Sequence, residues 1–212
     1  MAWNLHSHHA MTHHPWDALT LHCGASSGES GPFIWRRTNG EGPMTPNDLS
    51  KQLRQEAGEY LARRRGVVGA SLVAVGAMSL ITLYQMGLIA HLPDPPLPGF
   101  DADKVDASAE AYAKLAMPDG VLGLGSYAVT VAFAAMGGED RATTHPWMPL
   151  ALAAKVAFDT VQAGKLSVDQ WTTHRAFCVW CLLASGATAV TVPLVIPEAR
   201  AAVTHLLAER RR

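Results

Sequence analysis

Cys178 and Cys181 form the only closely spaced cysteine pair in the chain, in the stretch His174-Arg175-Ala176-Phe177-Cys178-Val179-Trp180-Cys181-Leu182-Leu183. A C-x-x-C can carry thiol–disulfide chemistry, ligate a metal, or simply pack. On a helix, positions three apart share a face, about 5–6 Å between Cβ atoms. That is close to disulfide geometry, so the pair could open and close a bond with little backbone movement. A cysteine in a first helical turn also meets the positive end of the helix dipole, which favours thiolate. Arg175 and His174 act in the same direction. Two thiolates and the His174 imidazole are legitimate zinc or haem ligands, but no fourth ligand is apparent.

The pair opens a run, 176–197, of 22 residues without Asp, Glu, Lys, Arg or His, long enough to cross a bilayer. Three more segments read as spans: 66–90, about 120–138 and about 146–164. The expected fold is therefore all-α, an integral membrane four-helix bundle with a disordered N-terminal extension. Arg63-Arg64-Arg65 abuts the first span and Arg210-Arg211-Arg212 ends the chain. By the positive-inside rule both termini face the cytoplasm, which leaves Cys178 and Cys181 near the outer face. Small residues in the second span (Gly123, Gly125, Ser126, Ala128) allow close helix contact. The third span carries Lys155 and Asp159, read first as a satisfied structural pair and second as a polar wall near a redox site.

The connections carry information too. Pro93, Pro95, Pro96 and Pro98 forbid regular helix after the first span. Asp101, Asp103, Asp106 and Glu110 follow, with no arginine, which suits a non-cytoplasmic loop. Trp171 reads as an interfacial anchor.

Only 17% of the 212 residues are charged, and they cluster between uncharged stretches, the layout of a polytopic membrane protein. A net charge of −1 argues against nucleic acid as a partner. Three cysteines exclude a disulfide scaffold. Residues 1–43 hold no apolar h-region, so no cleavable secretion signal is expected.

Residues 1–48 read as a disordered, His-rich extension. Its histidines (His6, His8, His9, His13, His14) invite a metal reading without fixing ligand geometry, and Cys23 reads as a bystander. Met44 is an alternative start for the ordered chain. Residues 49–65 are expected to form a cytoplasmic amphipathic helix capped by Asn47 or Asp48. The four-span domain then covers 66–197, and 198–212 is a basic cytoplasmic tail.

Three features resemble the vitamin K epoxide reductase family, in its short bacterial form. One is Phe177-Cys178-Val179-Trp180-Cys181-Leu182. The second is Ser108 through Tyr112, then Pro118-Asp119-Gly120, then Gly123 to Tyr127 entering the second span. The third is the order of spans and loops. The resemblance covers about residues 66–197. It implies a membrane thiol–disulfide oxidoreductase passing electrons from thiols to a membrane quinone, ubiquinone or menaquinone, in a disulfide-forming pathway. It implies that Cys178 exchanges with a protein thiol, such as a thioredoxin-like extracytoplasmic partner, and that Cys181 faces the quinone. Trp180, Phe177 and Tyr127 are then expected at the quinone ring, with Trp171 and Phe133 nearby. Family members usually carry two further cysteines in the first outer loop. The loop 91–119 has none, and Lys104 stands near one expected position. The alternative is a non-catalytic membrane protein that kept the fold and lost the relay.

Overall fold

The computed structural model describes residues 45–55 and 58–212, and every extended element among them is helical. The His-rich tract, Cys23 and the alternative start at Met44 lie outside the described residues.

Helix α1, Pro46–Gln55, begins earlier than expected because its cap is Thr45 rather than Asn47 or Asp48. Thr45 Oγ1 accepts from the Asp48 amide (3.3 Å), and the Asp48 carboxylate accepts from the Thr45 amide (3.1 Å). This is a reciprocal capping box, with Pro46 in the first position, where its missing N–H costs nothing. Residues 59–65 do not continue α1. They form the start of α2, Glu59–Gln85. Arg65 reaches back to the Leu53 carbonyl (2.8 Å) at the end of α1.

After α2 the prolines keep 91–100 out of regular helix, as expected. A short α3, Ala102–Asp106, and a 3-10 turn, Ala109–Tyr112, fill the rest of the loop. Then come α4, Asp119–Ala135; α5, Arg141–Thr144; α6, Trp147–Asp169; a single π turn, Gln170–His174; and α7, Val179–Glu209. Helix α2 packs on α4 and α7, and α6 packs on α7 and α4, so the four long helices close a ring. Among the described residues, α2 and α7 are long and apolar enough to cross a membrane. Helix α4 is apolar but has 17 residues.

The close contact of α2 and α4 rests on Gly120 and Gly123. A Cβ on Gly120 would lie 2.7 Å from Thr82 Oγ1, and one on Gly123 would lie 2.5 Å from Met78 Sδ. Of the small residues expected to allow close helix contact, Gly123 does so here, whereas a Cβ on Gly125 would meet nothing within 4 Å. Lys155 and Asp159 turn toward α4. Lys155 Nζ donates to Asp159 Oδ2 and to Ser126 Oγ (2.8 Å), and Ser126 Oγ donates to Asp159 Oδ1 (3.0 Å). The pair is fully partnered, and Asp159 and Ser126 also line a cavity beside Cys181, as the polar-wall reading expected.

At the opposite end from the cysteines, two arginines close the C-terminus of α4. Arg64 is buried and donates to the carbonyls of Ala134, Met136, Gly137 and Gly138 at 2.8–3.0 Å. Arg141, fully buried, donates to the Phe133 and Met136 carbonyls and binds both oxygens of Glu198, all at 2.7 Å. The last carbonyls of a helix are unsatisfied and carry negative partial charge, so these cations answer both needs. Arg64 is thus a structural group, not a free surface charge. Glu198 lies beyond Pro197, where the span was expected to stop. Helix α7 instead runs through both Pro193 and Pro197, and the expected tail is mostly its last turns.

Candidate redox site

The pair sits where the π turn meets α7. Arg175 takes a left-handed conformation (φ 52°) that turns the chain out of Gln170–His174. Cys178 is not inside the first turn as the sequence suggested. It is the N-cap residue (φ −91°, ψ 119°), and its Sγ accepts the Cys181 amide at 3.2 Å. An N-cap side chain answers one of the orphan amides of a helix start, and here a sulfur does so. Its own amide donates to Oε1 of buried Gln170 (3.0 Å), which ties the π turn to the pair. Both cysteines are thiols in this structure.

The loop 91–106 covers the pair. Phe100 and Phe177 form a parallel bridge, with the Phe177 amide donating to the Gly99 carbonyl (2.7 Å) and the Asp101 amide to the Phe177 carbonyl (3.0 Å). Gly99, at φ +93°, makes the turn that aligns this bridge. Trp180 Nε1 donates to the Pro93 carbonyl (2.9 Å). Ala102, Val105 and Leu92 share one buried cluster with Cys178, which has 0% exposure. The loop is pinned below by Gln85, whose Nε2 donates to the Asp106 carbonyl (3.2 Å) and to the Asp119 carboxylate (2.6 Å).

Lys104, expected near a relay cysteine position, is exposed. The same short helix buries Ala102 and Asp106 instead. Asp106 Oδ1 lies 3.5 Å from Cys181 Sγ, and its Oδ2 is buried with no hydrogen-bond partner. Burial pushes the Asp106 carboxyl up to about 6; the carboxylates of Asp119 and Asp94 add to the rise, and the thiols of Cys178 and Cys181 partly offset it.

A cavity of about 510 Å³ opens beside Cys181. Met78, Ile81, Leu122, Phe158 and Ala184 supply apolar wall, and Tyr127, Asp106 and Gln170 supply polar atoms. Tyr127 is the expected ring-side residue that does line it, with its hydroxyl bonded to Thr188 (2.8 Å). Phe177 and Trp180 face the loop instead: Phe177 stacks on Trp171 (centroids 5.5 Å, 12°), and Trp180 holds Pro93. Phe133 packs in the cluster at the far end. His174 lines the cavity but is not the third donor of the sulfur cluster. That place belongs to Asp106, within 4.8 Å of both sulfurs. Three donors fall short of the closed four-ligand shell of a structural zinc site.

Asp106 and Gln170 are the residues that sequence reasoning missed. Asp106 looked like one acid among several in a polar loop, and nothing in its spacing distinguishes it. Gln170 flanks the pair eight residues upstream, a distance that only the π turn makes short.

The profile of the vitamin K epoxide reductase family matches residues 66–196, more than half of the 212 residues. The chain belongs to the vitamin K epoxide reductase family. No curated protein matches it. Family membership points to a membrane redox enzyme, and the family generally uses a quinone. The two long apolar helices α2 and α7 agree with a membrane protein.

Proposed function

We propose that the chain is a membrane thiol–disulfide oxidoreductase that passes electrons from thiols through Cys178 and Cys181 to a membrane quinone, in a disulfide-forming pathway. The observation that carries this reading is a C-x-x-C at a helix start beside a largely apolar cavity. Its volume, about 510 Å³, lies within the roughly 300–1,000 Å³ typical of ligand sites. A flat, mostly apolar quinone head with carbonyl acceptors suits walls of this kind, with Met78, Ile81, Leu122 and Phe158 against its faces and Tyr127 nearby. The quinone, ubiquinone or menaquinone, supplies a two-electron, two-proton acceptor.

The chain's own residues divide the remaining work. Cys181 opens on the cavity and is the cysteine that faces the quinone. Cys178 is the cysteine that exchanges with an incoming thiol, from a thioredoxin-like extracytoplasmic protein. A thiolate attacks a disulfide sulfur only if it can reach it. Since Cys178 is fully buried, the 91–101 segment must lift for that step. Gln170 and the Phe100–Phe177 bridge hold the pair in place and exclude water.

In this reading α2, α4, α6 and α7 are the four spans of a bacterial cell-membrane bundle. The termini face the cytoplasm and the pair lies near the outer face. The ring of helix contacts supports it, and so does the segregation of α1 and the arginine-closed end from the cysteine end.

The alternative, a non-catalytic bundle, draws on the absence of cysteine from loop 91–119 and on the burial of Cys178. Thiol-dependent quinone reduction by the purified chain, compared with Cys178→Ala and Cys181→Ala, separates the two. The redox reading expects activity in the parent and its loss in both variants. Equal rates in all three contradict it.

A further inference from the structure

Five aspartates lie between α2 and the start of α4, and four of them accept N–H donors. Asp94 accepts the Ala102 amide, Asp101 the Lys104 amide, Asp103 the Leu92 amide and His91, and Asp119 the Gln85 side chain. These carboxylates hold the loop together. Asp106 does not. It is 1% exposed and its carboxylate accepts no N–H among the described residues: its Oδ2, like Asp94 Oδ1, has no hydrogen-bond partner, and its Oδ1 meets the Cys181 thiol at 3.5 Å. A buried carboxylate kept for structure collects N–H donors, because an unsatisfied one is costly. Asp106 instead touches a reacting sulfur and lines the cavity beside it.

We propose that Asp106 is the proton acceptor for the Cys178–Cys181 pair, taking the thiol protons and passing them to the cavity. The proposal rests on the redox reading above and deepens it.

The balance is simple. Oxidising two thiols to a disulfide breaks two S–H bonds, forms one S–S bond, and releases two electrons and two protons. A quinone becoming a quinol takes up the same number. The Cys181 S–H breaks as an O–H forms on Asp106, and the carboxyl then gives this proton up on the cavity side. The Cys178 proton follows by the same carboxylate, which has an oxygen within 4.8 Å of both sulfurs. Proton acceptors work best with a pKa near the operating pH, and burial brings Asp106 to about 6. The other groups facing it are Tyr84 from α2, Asp119 from α4 and Asp94 from the loop, and Glu110, Lys114, Tyr127, Asp159, Asp169 and His174 line the same cavity. The arrangement also explains how a loop without cysteines can still serve the pair: it brings a base rather than a thiol.

The test uses the full chain, its Asp106→Asn variant and its Asp106→Glu variant, reduced and freed of quinone. The first readout is the alkylation rate of Cys181 against pH, resolved by peptide mass spectrometry. The parent should show an inflection near pH 6, and Asp106→Asn should lack it. The second readout is the rate of disulfide formation on adding a water-soluble quinone. It should fall on the order of 10²-fold in Asp106→Asn and recover in part in Asp106→Glu. Asn is nearly isosteric and leaves the Gln85–Asp106 backbone bond in place, so the fold should persist. An unchanged alkylation profile overturns the proposal, whatever happens to the rate, because a carboxylate that exchanges protons with Cys181 must appear in that thiol's reactivity. So does a disulfide rate within a few-fold of the parent. If the parent itself forms no disulfide with quinone, the redox reading fails separately, and the alkylation profile alone decides whether Asp106 exchanges protons with Cys181.

Discussion

Removing the Glu198 carboxylate would leave the Arg141 guanidinium charged and enclosed. The two side chains are 4% and 0% exposed, and they share two bonds of 2.7 Å. Deleting one partner of a buried pair costs roughly 3–5 kcal/mol, because the remaining charge stays desolvated. Arg141 would keep its bonds to the Phe133 and Met136 carbonyls, so Glu198→Ala should fall near the lower end, about 3 kcal/mol. Against a total stability of about 5–15 kcal/mol, that is a large share. It corresponds to a drop in melting temperature of roughly ten degrees. The assay is thermal unfolding of the purified chain in detergent, followed by far-ultraviolet circular dichroism. The double variant Arg141→Met/Glu198→Leu should lose much less than the two single losses added together, since it strands no charge. Arg64 would still bind the Met136 carbonyl. A Glu198→Ala loss below 1 kcal/mol, or strictly additive losses, would refute the claim that this pair secures the end of α4.

Three further outcomes are expected. Trp180→Phe removes the bond to the Pro93 carbonyl, worth about 1 kcal/mol, so opening of the 91–101 cover and alkylation of Cys178 should rise about fivefold. Gly120→Val drives a Cβ to within 3.0 Å of the Thr82 backbone nitrogen and should cost about 1–3 kcal/mol, whereas Gly125→Val, with no atom within 4 Å, should be near neutral in the same melting assay. Asp106 holds its proton more tightly in the folded chain (about 6, against an ordinary 3.8), so its contribution to stability is full below about pH 4 and is lost as pH rises through 6. The difference in stability between the parent and Asp106→Asn should therefore shift against the parent by up to roughly 3 kcal/mol between pH 4 and 7, and a difference that stays constant over that range would contradict the burial of this group.

The sequence revealed the helices and the position of the pair better than its surroundings. Uncharged runs and the proline cluster mark α2, α4, α7 and the loop, because burying or solvating a helix face leaves a trace in composition. The Thr45-Pro46-Asn47-Asp48 box is also present in the sequence, where Asn47 and Asp48 are equally good cap residues by type. Pro197 looked like a stop, yet α7 continues to place Glu198 against Arg141. A proline costs a helix one amide bond, which the packing around α7 tolerates twice, and nothing in the sequence shows which carboxylate the enclosed Arg141 will need. Arg64 lies in a run of three arginines and Arg141 in a short connection, and a sequence does not show that an open helix end lies within reach of either. Phe177 and Trp180 have the right chemistry for a ring pocket, but the Phe100–Phe177 bridge turns them toward the loop. Asp106 reaches the sulfurs through the turn of a five-residue helix, which leaves no periodic signal to read.

The most direct test of the central claim is the redox state of Cys178 and Cys181 in native membranes, read by thiol trapping with quinone present and then depleted. The account predicts a pair oxidised with quinone and reduced without it. A pair that stays reduced under both conditions would contradict it and leave a family fold without the family's chemistry.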